Sequence, residues 1–349
     1  MSATEHKGEK ALKKWTIIEL VVLVVLLATA AVVFITMATP TSVPEAAQTQ
    51  PTEIVAEATT EATTMPEETT VPEPTELDVT WMVMPEDYQL TCDQYFVYDC
   101  DADAFTILSG QEHDRVYPAS ITKLFSIYVA SQYLSPETLV TVGDELDMVH
   151  WDSSISELSK GDVLTVEQLI EGMLMTSGND ASYTLATAAG RAIFGDQTLS
   201  PAGAVEIFVE EMNRQTQLVG MTDSHFVNPD GIHDDNHYMS LRDMVTLGKL
   251  SMENPTVLQC ARTSRKTVEL VKGSVLWRNT NELTDLLSEY YCPYAVGLKT
   301  GQTSAAGCCL LSGFVMPERM LIIGVFKSDE VTDRFVDTLH LLNQELGIE

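Results

Sequence analysis

Ser120 and Lys123 lie three residues apart in PASITKLFSIYVA, residues 118–130. The apolar run after them reads as a helix, with Pro118 just before it and Ser120 in its first turn. On a helix this spacing puts both side chains on one face. A serine hydroxyl is a poor nucleophile until a neighbouring base takes its proton. Lysine can be that base when burial or a second cation lowers its pKa. Alone, the pair is more often a helix start with a solvated lysine. Two other segments raise its standing. SGN, Ser177 to Asn179, sits at a break between two helical patterns, where a hydroxyl and an amide can be exposed. KTG, Lys299 to Gly301, ends an expected strand beside QTSAAG.

The order SxxK, SxN, KTG, on three separate elements, resembles the penicillin-interacting serine acyl-transferases, which include the class A β-lactamases and the penicillin-binding proteins. The likeness narrows to the serine D-alanyl-D-alanine carboxypeptidases, the low-molecular-mass penicillin-binding proteins. It rests on YFVYDCDADAF, YPASITKLF, MLMTSGNDAS, FVEEMNRQTQLVGMTDSHFVNPDGIHDDNHYMSLRDM, RNTNELT and GLKTGQTSAAGCCL, and covers about residues 85–348. Class A β-lactamases usually carry Asp where this chain has Gly178, and they need a later glutamate for deacylation. Glu210 and Glu211 stand at a suggestive distance, but FVEEMNRQ matches a plain helix of the carboxypeptidases and reads as a solvated face.

The resemblance implies roles. Ser120 is the acylated nucleophile and Lys123 its base. Ser177 relays a proton to the leaving amine, and Asn179 holds the substrate amide and Lys123. Lys299 keeps Lys123 neutral and, with Thr300 and Thr303, binds the substrate's terminal carboxylate beside Gly301. The backbone N–H groups of Ser120 and Gln302 form the oxyanion site. The implied partners are peptidoglycan stem peptides ending in D-Ala-D-Ala, with β-lactams as covalent inhibitors; no cofactor and no metal is implied. A serine β-lactamase and a non-catalytic penicillin-binding sensor are the competing readings, and the three intact motifs weigh against the sensor. His233, Asp234 and His237 in GIHDDNH suggest a metal only superficially, since there is no HExxH, and they read as loop residues. Arg265 and Trp277 read as a surface arginine and a core tryptophan, although either is a candidate for the cleft.

The formal net charge of −31 argues against a nucleic-acid partner, which needs a clustered basic surface. Residues 1–15 carry Lys7, Lys10, Lys13 and Lys14, and from Leu20 to Ala38 no charge occurs. That run spans about 28 Å as a helix, near the thickness of a bilayer's hydrocarbon core. A transmembrane anchor over 16–38 is expected, N-terminus in the cytoplasm by the positive-inside rule. A cleaved signal peptide, with ATA at 28–30 as its cleavage site, is the alternative. Residues 39–78, rich in Thr, Pro and Glu and free of Lys and Arg, cannot bury a core and read as a disordered stalk. Many carboxypeptidases of this kind carry a further β-rich domain and a C-terminal anchor. This sequence ends at Glu349 soon after its last helix, so the N-terminal anchor is expected to stand in for the C-terminal one.

The remaining segment, 79–349, must position the three motifs. Residues 95–110 read as two strands around a turn. Residues 165–190 read as two helices interrupted at SGND, and 200–220 and 240–252 as further helices. YAVGLKTG, AAGCCLLSGFVM and ERMLIIGVFKS read as strands, and VTDRFVDTLHLLNQEL as a last helix. The expected class is α+β, β-lactamase/transpeptidase-like. An antiparallel sheet assembled from both ends of the domain is flanked by helices, with a mainly helical inserted lobe. Six cysteines form no evident framework. A Cys92–Cys100 bridge across the first hairpin and buried free thiols are both open.

Overall fold

The two ends of the described chain meet in one sheet. The computed structural model describes residues 79–85 and 87–348, so the expected tail, anchor and stalk over 1–15, 16–38 and 39–78 lie outside the described residues. In chain order the strands are β1 (Gln94–Asp99), β2 (Ala104–Leu108), β3 (Arg115–Val116), β4 (Leu139–Thr141), β5 (Val163–Thr165), β6 (Met239–Ser240), β7 (Arg265–Leu270), β8 (Gly273–Arg278), β9 (Ala295–Thr303), β10 (Gly307–Met316) and β11 (Arg319–Ser328). The helices are α1 (Thr122–Ala130), α2 (Val166–Met175), α3 (Asn179–Phe194), α4 (Pro201–Val219), α5 (Leu241–Met252), α6 (Pro255–Arg262) and α7 (Asp333–Leu346).

The main sheet runs β2-β1-β11-β10-β9. Its neighbours are antiparallel, with Tyr98 opposite Ile322 and Leu311 opposite Lys299. Successive side chains on a strand face opposite ways, and here both faces are covered. Tyr98, Cys309, Leu311 and Ile322 join the core shared with the helical lobe. Val97, Leu310, Leu321 and Ile323 pack with Phe335, Leu339 and Leu342 of α7. Double coverage explains why β10 and β11 are continuous apolar runs rather than alternating ones.

The middle of the chain builds the helical lobe, as expected. A capping box starts α2: Gln168 N–H donates to Thr165 Oγ1 at 3.1 Å, and Thr165 N–H to Gln168 Oε1 at 2.9 Å. Helix α1 lies in the core, and all but one of its residues are buried, Lys123 among them. The sequence reading places no element between 253 and 294; α6 and the β7–β8 hairpin occupy much of that stretch. All six cysteines are unbridged. Cys92 packs beside Trp81 in the α7-side core, whereas Cys100 packs against the other core. Among the described residues no helix is long and apolar enough to cross a membrane.

Candidate active site

The backbone bends sharply before the candidate nucleophile. Ala119 has φ +47°, a conformation costly for a residue with a Cβ, and a single 3₁₀ turn over Ala119–Ile121 presents Ser120 before α1 begins. Lys123 follows one helical step later and is wholly buried. Its Nζ lies 2.9 Å from Ser120 Oγ, 2.7 Å from Asn179 Oδ1 and 2.8 Å from the carbonyl oxygen of Asp230. The last two partners can only accept. A neutral amine would give them its two hydrogens and turn its lone pair to the one partner that owns a hydrogen, the Ser120 hydroxyl. Burial pushes the Lys123 pKa down to about 8, while Asp230 and Asp180 act in the opposite sense. A base is thereby available close to neutral pH.

Ser177 lies within the break between α2 and α3, with φ +59°, and is buried. Asn179 opens α3. Its Oδ1 meets Lys123, and its Nδ2 donates to Ser153 Oγ at 2.9 Å. Asp180, one residue on, holds the covering loop by accepting from the N–H groups of Ser156 at 2.8 Å and Leu158 at 2.9 Å.

The third motif lies on β9. A Cβ on Gly301 would stand 2.8 Å from Pro118 O and 3.2 Å from Ser120 N, so this strand runs directly against the nucleophile turn. Lys299 is fully buried, and its Nζ donates to Thr300 O at 2.8 Å. Burial, then the positive charges of Lys123 and Arg334, hold its pKa well below the usual lysine value. Burial is the first cause of the lowered pKa at both Lys123 and Lys299. Thr300 Oγ1 contacts Thr280 Oγ1 at 2.7 Å, Gln302 is exposed and Thr303 half-buried.

A turn from Val227 to Ile232 closes the site from the far side. Pro229 O accepts from Ser126 Oγ at 2.7 Å and Ser182 Oγ at 2.8 Å, tying α1 to α3, and Asp230 O accepts from Lys123. His237 braces the same region. Val227 N–H donates to its Nδ1 at 3.3 Å, which leaves Nε2–H to donate to Thr122 Oγ1 at 2.8 Å. Both ring nitrogens are thus spent inside the protein, and burial pushes the His237 pKa down to about 4.

Residues 82–330 match the family described as D-alanyl-D-alanine carboxypeptidase, Peptidase S11. The chain belongs to this family. The D-alanyl-D-alanine carboxypeptidase DacA of Haemophilus influenzae is 30% identical over 249 residues, covering 68% of this chain and 57% of that protein. DacD of Escherichia coli is 28% identical over 250 residues, covering 68% of this chain and 58% of that protein. The chain thus spans less than two thirds of the length of these two relatives. The crystal structure of the Streptomyces K15 DD-transpeptidase superposes with a TM-score of 0.67 at 25% identity, over 74% of this chain and 98% of that one. The fold is therefore the β-lactamase/transpeptidase-like one expected.

Within this D-alanyl-D-alanine carboxypeptidase fold, Ser120, Lys123 and Asn179 are joined by direct hydrogen bonds, and β9 lies against the Ser120 turn. Among the described residues the Ser177 hydroxyl has no hydrogen-bond partner. Glu211 is not a solvated helix residue. It is buried and bound by Arg214, Gln215 and Tyr133, and Arg214 foremost holds its carboxyl down at about 2. Glu210 is exposed. Arg265 pairs with Asp285 at 3.1 Å, and Trp277 is a core residue whose Nε1–H donates to Ser156 O at 2.8 Å. Asp230, the bracing role of His237, and Arg334 carry no signal in the local sequence pattern. Arg334, buried on α7, donates from Nη1 to Gly301 O at 3.3 Å. Nothing local marks it, since one cation on a short amphipathic helix looks like any surface arginine.

Proposed function

We propose that the protein is an extracytoplasmic serine D,D-carboxypeptidase that removes the terminal D-Ala from peptidoglycan stem peptides through a Ser120 ester. One observation carries the reading: a wholly buried amine, held by two pure acceptors, turns its third direction to Ser120 Oγ at 2.9 Å. A buried ammonium costs several kcal/mol (about) in desolvation, so the amine favours its basic form.

In the proposed reaction, Lys123 takes the Ser120 proton as Oγ bonds to the carbonyl carbon of the penultimate D-Ala. The oxyanion is held by the backbone N–H groups of Ser120 and Gln302. Lys299 binds the substrate's carboxylate with Thr300 and Thr303, and the bare Cα of Gly301 allows close approach. Asn179 holds the scissile region. The C–N bond breaks as the departing amine receives, through Ser177, the proton that Lys123 took from Ser120, and free D-Ala leaves. Water then attacks the ester, giving its proton to Lys123, and Ser120 is regenerated. A β-lactam would form the same ester without losing its leaving group. The uncharged run from Leu20 to Ala38 supports a single-pass anchor over 16–38 with the catalytic domain outside the cell.

The test is release of free D-Ala from a pentapeptide ending in D-Ala-D-Ala. Release together with a slowly hydrolysed penicillin adduct is expected. Rapid penicillin turnover without D-Ala release would make the protein a β-lactamase; an adduct with neither turnover nor release would make it a sensor.

A further inference from the structure

Asp230 carries a carboxyl that none of these steps uses. It is 1% exposed and sits in the turn against the two central helices. Oδ1 accepts from Ile232 N–H at 3.3 Å, whereas Oδ2 is buried with no hydrogen-bond partner. A buried carboxyl oxygen without a donor is costly. Other chemistry faces it. Lys123 acts on it from α1 and His150 from the covering loop, each favouring its ionised form. Tyr183 of α3 lies within its field, as does Asp180 within that of Lys123. Lys123 in turn acts on the buried Lys299 of β9. The strongest attractive charge on Asp230 is therefore the base itself, whose amine is already bonded to the Asp230 carbonyl at 2.8 Å.

We propose that Asp230 is a positioning residue for acylation: its carbonyl aims Lys123 Nζ at Ser120, and its sequestered carboxyl sets the pH at which that amine is free to take the serine proton. The inference rests on the acyl-enzyme reading above. Burial pushes the Asp230 carboxyl up and the Lys123 amine down, while their mutual attraction resists both, so the two titrate as a pair. When Ser120 passes its proton to Lys123, the ammonium forms in a dry site. A carboxylate there stabilises that charge as it develops.

The sign follows. Removing the carboxylate makes Lys123 easier to deprotonate, yet weaker as an acceptor of the serine proton. Asp230→Asn keeps the backbone carbonyl and nearly the same shape. Acylation of Ser120 by a fluorescent penicillin, followed from about pH 5 to about pH 10, should show a limiting rate reduced about tenfold and an acid limb displaced to lower pH. A merely structural role would lower the rate without moving the limb, and an unmoved limb overturns the proposal. Labelling of the unmutated protein elsewhere than Ser120 would instead reject the acyl-enzyme reading. Should Asp230→Asn fail to fold, ¹³C NMR of the unmutated protein decides. The Asp230 carboxyl carbon should move across the same pH range as Lys123 Cε, and a carboxyl signal constant there overturns the proposal.

Discussion

A Cβ on Gly231 would lie 1.9 Å from the carbonyl oxygen of Ala119. The turn that supplies an acceptor to Lys123 is thus in van der Waals contact with the strained residue before Ser120. Gly231 itself has φ +87°, so a side chain there meets both a backbone penalty and a wall of main chain. Gly231→Ala is expected to cost about 1 kcal/mol for the backbone and about 1–3 kcal/mol for the overlap, and to displace Ser120. Thermal unfolding and penicillin labelling should both fall. Gly195→Ala, at φ +78° with nothing within 4 Å, should lower stability by the backbone cost alone and leave labelling intact. Equal labelling in the two variants would show that the turn does not position Ser120.

Ser120→Ala should abolish the covalent penicillin adduct, because it removes the oxygen that forms the ester. Lys123→Ala should slow acylation by about 10²–10⁴-fold, the usual worth of a general base. Lys123→Arg should recover little of it, since guanidinium stays protonated. In the unmutated protein acylation should rise with pH through about 8, where Lys123 loses its proton. Mass spectrometry of the adduct and stopped-flow labelling check these outcomes; normal acylation by a folded Lys123→Ala protein would remove Lys123 from the mechanism.

His237 predicts a pH dependence of stability. Its pKa falls from about 6.5 in the unfolded chain to about 4 in the fold. Between these values the unfolded chain binds the extra proton. The stability is therefore fully present above about pH 6.5 and is lost as pH falls towards 4, on the order of 3 kcal/mol in all. His237→Gln, which retains a donor and an acceptor, should show a shallower loss over that window in denaturant titrations at several pH values. A slope identical to the unmutated protein's would exclude His237 as its source.

The N-terminal segments give a further expectation. The full chain should fractionate with membranes carrying an intact N-terminus, with the rest open to protease from outside. A mature N-terminus near Ala31 would leave only a signal peptide. A chain starting at Val79 should keep its turnover of a soluble peptide, because residues 39–78 carry nothing suited to chemistry. A large loss of turnover in that folded chain would implicate the stalk.

The three motifs were legible because each is a short, local pattern at an element boundary. Pro118 and Ser120 mark a helix start, SGN breaks a helical period, and KTG closes an apolar strand. The continuous apolar runs of β10 and β11 likewise marked buried strands. The β7–β8 hairpin and α6 were missed because their patterns are weak. The hairpin's burial alternates only loosely, and α6 has eight residues, near the lower limit at which a period can be read.

The amino-acid sequence by itself determined the reacting groups, their order along the chain and the elements that carry them, because helix starts, helix breaks and apolar periodicity are local properties. Only the tertiary structure decided their state. Whether Lys123 is a base depends on its complete burial and on acceptors drawn from Asn179, 56 residues away, and Asp230, 107 residues away. The same holds for Glu211, which the local pattern puts at a solvated face and the fold buries among Arg214, Gln215 and Tyr133. Burial, field and orphaned polar atoms are sums over neighbours distant in the chain, so a pKa, unlike a motif, exists only once the chain has folded.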